Sequence, residues 1–245
     1  MPRVGATDRL IMKTVLITGA SRGIGAETAR TFARQGYTVF INYNRSHEQA
    51  QQLKKELNDQ GLDAHLLQAD VTNESQVKQM FDYVKKYAKK LDVLVLNAGV
   101  CLYQQVQNVT EHQYNSVMDV NAKGAFFCAK HAAPLMLDRF SGSIVAVSSV
   151  WGLKGASCES VYSMSKFALV GLSMSLHEEL NESGICVNCV CPPIVETDMT
   201  QHLSKEDKQQ FSKQHNIPIL APSQVAETIF QVATSGQSGQ IITKF

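Results

Sequence analysis

The sequence predicts an α/β fold in which a single doubly wound parallel sheet of about seven strands carries helices on both faces. Short runs rich in Val, Ile and Leu recur along the chain without alternation of polar and apolar residues, which is typical of strands buried on both faces. Longer stretches of helical character separate these runs, so strands and helices alternate as in βαβ units. Because crossovers between parallel strands are right-handed, the helices are expected on both sides of the sheet.

Seven apolar runs account for the predicted strands. In chain order they are TVLITG, YTVFIN, AHLLQADV, LDVLVLNAG, GSIVAVSS, ICVNCVCP and GQIIT. Between the second and third runs, HEQAQQLKKELNDQ predicts a helix, and ESQVKQMFDYVKKYAKK predicts another before the fourth run. The polar segment 197–216 leaves two interpretations open, a solvated helix or a mobile lid over a pocket.

No linker, repeat or low-complexity tract divides the chain, and we expect one domain over residues 12–245. Residues 1–11 precede a second methionine, Met12, and are expected to be a leader or a disordered extension. The 245 residues can bury a sizeable core, and 44% of them are apolar, which excludes a disordered chain. A net charge of +1 indicates neither a nucleic acid nor an anionic membrane as a partner, and no apolar run approaches the ~20 residues of a membrane span.

Six cysteines occur without the spacing of a disulfide framework, which indicates a reducing compartment such as the cytoplasm. Three of them lie in CVNCVC, where a metal site is one interpretation. Side chains alternate along a strand, so Cys186 faces one side while Cys189 and Cys191 face the other. We therefore interpret these thiols as small buried side chains and expect no metal.

The glycines of TVLITGASRGIG directly follow the first strand and stand at the head of a helix. Gly19, Gly23 and Gly25 allow the backbone to turn sharply and to approach a pyrophosphate, which then lies at the helix N-terminus. A tight turn without any ligand is the alternative. The position after the first strand of a doubly wound (Rossmann-type) sheet favours a dinucleotide.

The end of the second strand indicates which dinucleotide to expect. NAD-binding proteins usually carry an acidic residue about 20 residues past the glycines. Here Asn44 stands nineteen residues after Gly25 (44 − 25), Arg45 follows it, and Arg22 lies within the glycine turn. Two guanidinium groups can bind a 2′-phosphate, whereas a carboxylate would repel it. The sequence therefore predicts NADP(H); the alternative is that both arginines are merely surface residues.

A serine, a tyrosine and a lysine occur together in SSVWGLKGASCESVYSMSK, which runs from Ser148 to Lys166. Tyr162 and Lys166 are four residues apart and share a helix face, so the ammonium is expected near the phenol. A nearby positive charge favours phenolate, and an oxidised nicotinamide ring adds a second one; we expect the two charges together to lower the Tyr162 pKa from about 10 towards neutrality. Tyr162 would then serve as a general acid.

With the glycine turn, NAG at residues 97–99 and YSMSK in this order, the chain from Lys13 onward resembles the short-chain dehydrogenase/reductase family. The segments VETDM and GLKGA look most like its 3-oxoacyl-[acyl-carrier-protein] reductases. The family spacing of thirteen residues before Tyr162 (162 − 149) selects Ser149 over Ser148, which strand alternation turns to the opposite face.

The resemblance implies a role for each of four residues. Tyr162 would donate a proton to the substrate carbonyl, Ser149 would hold the carbonyl oxygen, and Lys166 would also bond the nicotinamide ribose. Asn121, in MDVNAKG, would support a water chain that reprotonates the tyrosine; its alternative is a satisfied residue at a helix kink.

The resemblance also implies the cofactor contacts, with Asp70 at the adenine edge. The expected set is Gly19, Ser21, Arg22, Gly23, Ile24, Gly25, Asn44, Arg45, Asp70, Val71, Asn97, Ala98, Gly99, Tyr162, Lys166, Pro192, Ile194 and Thr197. The chain departs from the family where Pro193 replaces a glycine, where Leu96 replaces an asparagine, and where the C-terminus lacks Asp-Gly-Gly. That ending lies near subunit contacts in relatives, and we expect a homo-oligomer, either a tetramer or a dimer.

The substrate implied by the resemblance is a β-keto thioester on an acyl carrier protein or coenzyme A. A basic patch for the acidic carrier is expected at Arg139, Lys130 and Lys123, although a solvated helix face explains these residues equally well. The residues expected to line the substrate pocket are Val100, Tyr103, Trp151, Leu153, Cys158 and Glu159.

Three alternatives stay open. WGLKGASCESVYS looks like reductases of the 5-aminopentanone modification of elongation factor P, for which a buried Glu159 would suit a cationic amine. A reductase of small ketones is the second alternative. The third belongs to a different class, a scaffold or regulatory subunit that binds NADP(H) without turnover.

Overall fold

The computed structural model of the chain describes residues 12–201 and 203–245. Its strands are β1 (Thr14–Ile17), β2 (Thr38–Tyr43), β3 (Ala64–Gln68), β4 (Val93–Leu96), β5 (Gly142–Val147), β6 (Ile185–Val190), β7 (Ile194–Val195), β8 (Ile219–Leu220) and β9 (Ile241–Ile242). Seven of them form one parallel sheet in the order β3-β2-β1-β4-β5-β6-β9. The predicted sheet is therefore confirmed, and each of the seven apolar runs supplies one strand. The expected leader, residues 1–11, lies outside the described residues.

Helices connect successive strands of the sheet. They are α1 (Gly23–Arg34), α2 (His47–Asp59), α3 (Glu74–Ala88), α4 (Glu111–Met118), α5 (Gly124–Leu137), α6 (Ser160–Leu180), α7 (Lys205–His215) and α8 (Pro222–Thr234). The two helices predicted from their patterns are α2 and α3, which end one and two residues before the patterns do. Helix α3 stops early because Lys89 adopts a left-handed conformation with φ 62°.

The strands are apolar on both faces because alternate side chains enter two separate cores. Along β2, Phe40 packs into the core formed with α3, α5 and α6, whereas Val39 and Ile41 pack into the core formed with α1, α2 and α8. All three side chains are fully buried. Burial on both sides explains why the sequence shows continuous apolar runs instead of alternation.

The polar segment 197–216 is helical over most of its length and is held at both ends. Strands β7 and β8 pair in parallel, with Val195 opposite Leu220, and α7 is the helix between them. From α7, the Phe211 ring meets the Trp151 ring edge-on with centroids 5.4 Å apart. The segment is therefore helical, and its helix lies against Trp151, a residue of the expected pocket.

Membrane and metal features can be judged for the described ranges. No helix there is long and apolar enough to cross a bilayer. The same residues contain no group of three His, Cys, Asp or Glu side chains that could hold a metal ion. All six cysteines are free; Cys189 and Cys191 are fully buried, and Cys186 on the other face of β6 is partly exposed.

Candidate active site

The expected site residues lie at the carboxyl edge of the sheet. Strand β1 is flanked by β2 on one side and β4 on the other, so the chain reverses its direction of strand addition at β1 and β4. In doubly wound sheets, ligands bind in the crevice beyond the carboxyl ends of the strands at such a switch point. The segments that follow β1, β4, β5 and β6 meet there.

The turn after β1 requires glycine at its close approaches. Gly19 and Gly23 have φ values of +62° and +57°, which side chains on L-residues rarely adopt. A Cβ on Gly19 would lie 2.8 Å from the Ala98 Cα atom, and one on Gly25 would lie 2.6 Å from the Asn97 side-chain nitrogen. The glycines therefore let the end of β4 pack directly against the turn.

Side chains from neighbouring strands hold this turn in place. The Asn97 Nδ2 atom donates to the carbonyl oxygens of Thr18 (2.9 Å) and Gly19 (3.1 Å). The Thr18 hydroxyl accepts from the backbone amides of Asn97 (2.9 Å) and Ala98 (3.0 Å). The structure thus places Asn97 as part of the frame of the turn, because its amide group is already bonded to the turn backbone.

Asn42 was missed by the sequence analysis. It is fully buried in β2, accepts a hydrogen bond from the Gly19 amide (3.2 Å), and donates to the carbonyl oxygens of Leu67 (3.2 Å) and Ala69 (3.1 Å). The sequence offered one signal for this role, which is a polar side chain at the end of the apolar run YTVFIN. Asn42 links β2, β3 and the glycine turn through three hydrogen bonds.

The residues of this crevice fit a dinucleotide. Free backbone amides at the N-terminus of α1 follow a turn that lacks Cβ atoms at its closest approaches, which is the chemistry a pyrophosphate needs. Thr197 closes the turn from the segment after β6, since a Cβ on Gly23 would lie 3.3 Å from its methyl group. Of the other expected cofactor residues, Ser21 and Ile24 follow β1, Val71 follows β3, and Pro192 and Ile194 follow β6.

Two cationic side chains stand near the end of β2. Arg45 is exposed, and the Arg22 guanidinium is 60% exposed and lies 3.6 Å from an Asp198 oxygen. Asp198 was not foreseen, and it partly neutralises Arg22. Asn44 hydrogen-bonds Asp70; burial opposes ionisation of Asp70, but bonds from Thr72 and Asn44 outweigh it and lower the pKa of the carboxyl.

Ser149, Tyr162 and Lys166 are brought together between β5 and α6. Each of the three is at least nine-tenths buried. The Lys166 Nζ atom lies 5.6 Å from the centroid of the Tyr162 ring and donates to the Val147 carbonyl at 2.9 Å. Ser149 hydrogen-bonds Tyr162, whereas the Ser148 hydroxyl turns away and donates to the Lys166 carbonyl at 2.8 Å.

The protein groups alone do not give the expected lowering of the Tyr162 pKa and raise it instead. Burial raises the pKa of the phenol, the negative charge of Glu159 raises it further, and the bond from Ser149 opposes them. Burial also lowers the pKa of Lys166 to about 8. The ammonium donates to the Val147 carbonyl and holds its own proton less tightly than a fully solvated lysine does.

Asn121 lies in a single turn of π-helix, Asp119–Lys123, between α4 and α5. It is fully buried; its Oδ1 atom accepts from the Val100 amide (2.8 Å), and its Nδ2 atom donates to the Val100 carbonyl and to the Ser165 hydroxyl (both 2.9 Å). A Cβ on Gly99 would lie 3.4 Å from Asn121 Oδ1 and 3.6 Å from Lys166 Nζ. The missing side chain of Gly99 therefore leaves a gap between the two polar groups.

The expected pocket residues line two facing segments. Val100, Tyr103 and Leu153 are exposed, and Trp151, Cys158 and Glu159 are partly buried. The segments are tied together by the Gln104 amide, which donates to the Cys158 carbonyl at 2.6 Å. The sequence analysis missed Cys101, Lys154 and Phe211, which lie beside Glu159 in the first case and Trp151 in the other two.

The expected basic patch is not a free cationic surface. The Lys123 ammonium lies 2.7 Å from Asp119, the Lys130 ammonium 2.6 Å from Glu74, and the Arg139 guanidinium 3.5 Å from Asp92. The solvated, ion-paired interpretation therefore holds for all three cations. Two of the acidic partners lie on other elements and could not be read from local sequence.

A doubly wound sheet with this turn and this serine, tyrosine and lysine defines an oxidoreductase that acts on CH–OH or C=O groups with a nicotinamide nucleotide. The chain belongs to the short-chain dehydrogenase family, whose model matches residues 13–208.

Individual relatives agree with this class. The chain is 38% identical over 225 residues to the 3-oxoacyl-[acyl-carrier-protein] reductase FabG of Staphylococcus aureus strain Mu50, covering 91% of each chain. It is 34% identical over 235 residues to a 3-oxoacyl-[acyl-carrier-protein] reductase of Synechocystis, covering 95% of this chain and 93% of that protein. A candidate gluconate dehydrogenase from Agrobacterium tumefaciens has a similar structure, with TM-score 0.89, 27% identity and coverage of 94% and 93%.

Proposed function

We propose that the protein is an NADPH-dependent reductase of 3-oxoacyl thioesters, carried on acyl carrier protein or coenzyme A. The observation that carries this proposal is the buried Ser149–Tyr162–Lys166 group beside the glycine turn at the switch point of the sheet. Relatives named as 3-oxoacyl-[acyl-carrier-protein] reductases support the choice of substrate.

The cofactor, when bound, supplies the hydride that reduces the carbonyl carbon. Ser149 orients the carbonyl oxygen through its hydroxyl, and Tyr162 gives that oxygen its proton. Lys166 lies one helical turn from Tyr162 and stabilises the phenolate that proton donation leaves behind. Asn121 bonds the backbone of Val100 and the Ser165 hydroxyl of α6, and its proposed role is to support the water chain that reprotonates Tyr162.

The proposed roles predict a sharp effect of removing the tyrosine hydroxyl. Tyr162→Phe should lower kcat by a factor on the order of 10²–10⁴, the usual contribution of a general acid, while NADPH still binds. Tyr83→Phe is the matched control, because Tyr83 lies exposed on α3, away from the site. Near-normal turnover by Tyr162→Phe would exclude it as the proton donor.

Arg22 and Arg45 support the preference for NADPH, since no acidic side chain occupies position 44. The purified protein should oxidise NADPH much faster than NADH with an acetoacetyl thioester. Arg22→Ala and Arg45→Ala should each raise the KM for NADPH and leave that for NADH unchanged, with exposed Arg34→Ala as control. Equal rates with the two cofactors would remove the argument from the arginines.

A second candidate function is favoured by Glu159. This carboxyl is partly buried, and its negative charge raises the pKa of Tyr162. Among the described residues, no cation lies within salt-bridge distance of it. A substrate amine could neutralise it, as in the 5-aminopentanone modification of elongation factor P. A panel of acyl thioesters, small ketones and modified elongation factor P, assayed with Glu159→Gln and the control Glu182→Gln, separates these substrates. Tight NADPH binding without turnover on the whole panel would instead favour the scaffold.

We also propose that the chain is a single domain over residues 12–245 that assembles as a homo-oligomer, a tetramer or a dimer, in the cytoplasm. Helices α4, α5 and α6 expose large apolar side chains at Tyr114, Phe126, Phe167 and Met174, and monomers rarely leave such faces uncovered. Six free thiols suit a reducing compartment. Sedimentation velocity measures the assembly, and a monomer at micromolar concentration would refute it.

A further inference from the structure

The guanidinium of Arg22 already has an anionic partner in this structure. Its Nη1 atom lies 3.6 Å from the Oδ2 atom of Asp198, and both side chains are more than half exposed. Arg22 stands in the glycine turn directly before α1, whereas Asp198 lies 176 residues later (198 − 22), in the segment after β6. A guanidinium that holds a carboxylate must share or release it to bind a phosphate, because both anions use the same N–H donors.

The carboxylate of Asp198 is held in place by its own turn. Asp198 begins a short 3₁₀ turn, and its Oδ1 atom accepts a hydrogen bond from Gln201 Nε2 at 2.9 Å. The Thr200 hydroxyl donates to the Thr197 carbonyl at 3.1 Å. A Cβ atom on Gly23 would lie 3.3 Å from the Thr197 methyl group, so this turn packs directly against the glycine turn. The arginine, whose long side chain extends into solvent, is therefore the partner that can move.

The surroundings of the pair carry further negative charge. A cavity of about 360 Å³ opens beside it, between α1, α2 and the segment after β6. Arg30 also lines this cavity, but its guanidinium lies 2.8 Å from Glu27 and 2.7 Å from Glu56. Glu27 and Glu196 are part of the cavity wall as well. A phosphate that approaches Arg22 therefore meets carboxylates that repel it.

We propose that Asp198 is a specificity-determining residue that competes with the 2′-phosphate of NADP(H) for the Arg22 guanidinium. A bound 2′-phosphate takes the guanidinium, which leaves the Asp198 carboxylate to Gln201 and to solvent. NADH carries a hydroxyl in place of this phosphate and leaves the pair intact. Asp198 therefore limits the advantage of NADPH over NADH, and by taking back Arg22 it favours the release of NADP⁺. The inference rests on the proposed role of Arg22 in binding NADPH and refines it.

The exposure of the pair sets the size of the effect. An exposed ion pair contributes little, and its loss corresponds to a roughly 1.5- to 5-fold change in an equilibrium constant. Asp198→Asn removes the negative charge but keeps an oxygen that can accept from Gln201, so the turn should be retained. We expect this variant to bind NADPH roughly 1.5- to 5-fold more tightly and to bind NADH as the wild type does.

The two dissociation constants can be measured without turnover. Each cofactor is titrated against the fluorescence of the single tryptophan, Trp151, in the absence of substrate and at low ionic strength, because salt screens exposed charges. Glu196→Gln is the matched control, since it removes the same charge two residues earlier in the chain. The Glu196 side chain is exposed and forms no ion pair among the described residues, so both dissociation constants should stay near those of the wild type.

Two arginine backgrounds separate competition for Arg22 from a general effect of charge. In Arg22→Ala, the further change Asp198→Asn should leave the NADPH dissociation constant unaltered. In Arg45→Ala, which removes the other cation expected at the 2′-phosphate, the same change should keep its full effect. If Asp198→Asn binds NADPH as the wild type does, or tightens binding equally in the Arg22→Ala background, the inference is overturned and the proposed function is left intact. Equal dissociation constants for NADPH and NADH in the wild type would refute the proposed cofactor and the competition together.

Discussion

Replacement of Gly19 by alanine tests the glycine turn with an internal reference. Gly19 and Gly61 both have positive φ, +62° and +75°, so an alanine at either position incurs left-handed strain of about 1–2 kcal/mol. They differ in the space around the new methyl group. A Cβ on Gly61 meets nothing within 4 Å, whereas one on Gly19 lies 2.8 Å from Ala98 Cα, a backbone atom that cannot move aside cheaply.

The difference between the two variants isolates the close approach. Gly61→Ala should lower the free energy of unfolding by the strain alone, about 1–2 kcal/mol. Gly19→Ala should add roughly 1–3 kcal/mol of overpacking and should displace the turn from the end of β4. A displaced turn no longer presents its amides to the pyrophosphate, so the Kd for NADPH should rise at least about tenfold, the equivalent of ~1.4 kcal/mol.

Urea unfolding measures the first quantity, and quenching of the single tryptophan, Trp151, measures the second. Gly61→Ala should bind NADPH as the wild type does. The reasoning is refuted if Gly19→Ala unfolds with the same free energy as Gly61→Ala and binds NADPH with unchanged affinity, because the contact with Ala98 would then carry no energetic consequence.

Three further outcomes follow from contacts between elements. Asn42→Ala, which leaves the three partners of a buried amide unpaired, should lower the free energy of unfolding in urea by roughly 3 kcal/mol. Phe211→Ala removes the ring that packs on Trp151 and should raise the KM for the thioester about 2- to 10-fold, with little change in unfolding. The hydrogen bonds from Arg30 lower the pKa of Glu56, so this pair stabilises the fold fully above the ordinary carboxyl pKa of 4.5 and loses that effect as the pH falls below it. Glu56→Gln should therefore flatten the acid limb of the stability profile, and an unchanged limb would contradict this.

The fold was predictable because its causes are local. Strands buried on both faces leave unbroken apolar runs, as at Val39–Ile41, and a turn with positive φ leaves glycine at positions 19 and 23. The sequence did not predict strands β7 and β8, because two residues are too few to form a recognisable apolar run or an alternating pattern. The attachment of the helix between them through the pairing of β7 with β8 is therefore seen only in the structure.

The sequence predicted which residues form the site better than it predicted their pKa values and ion pairs. The spacing of four residues placed Lys166 near Tyr162, and the structure puts the ammonium 5.6 Å from the ring. The protein groups raise the pKa of Tyr162 because burial dominates it and the Glu159 carboxylate adds to it, and burial is set by the packed fold. Lys130 and Glu74 are 56 residues apart in the chain but form an ion pair, because the fold brings their side chains together.

The sequence by itself determined the parallel sheet, the glycine turn after its first strand and the identity of the polar groups at its edge, because residue preferences for burial and for backbone conformation act over a few neighbours. Only the tertiary structure decided how those groups are charged and held. Asp198 beside Arg22 and Asn42 behind Gly19 both come from distant parts of the chain. Desolvation and Coulomb interactions depend on distance through space, and that distance exists only after the chain has packed.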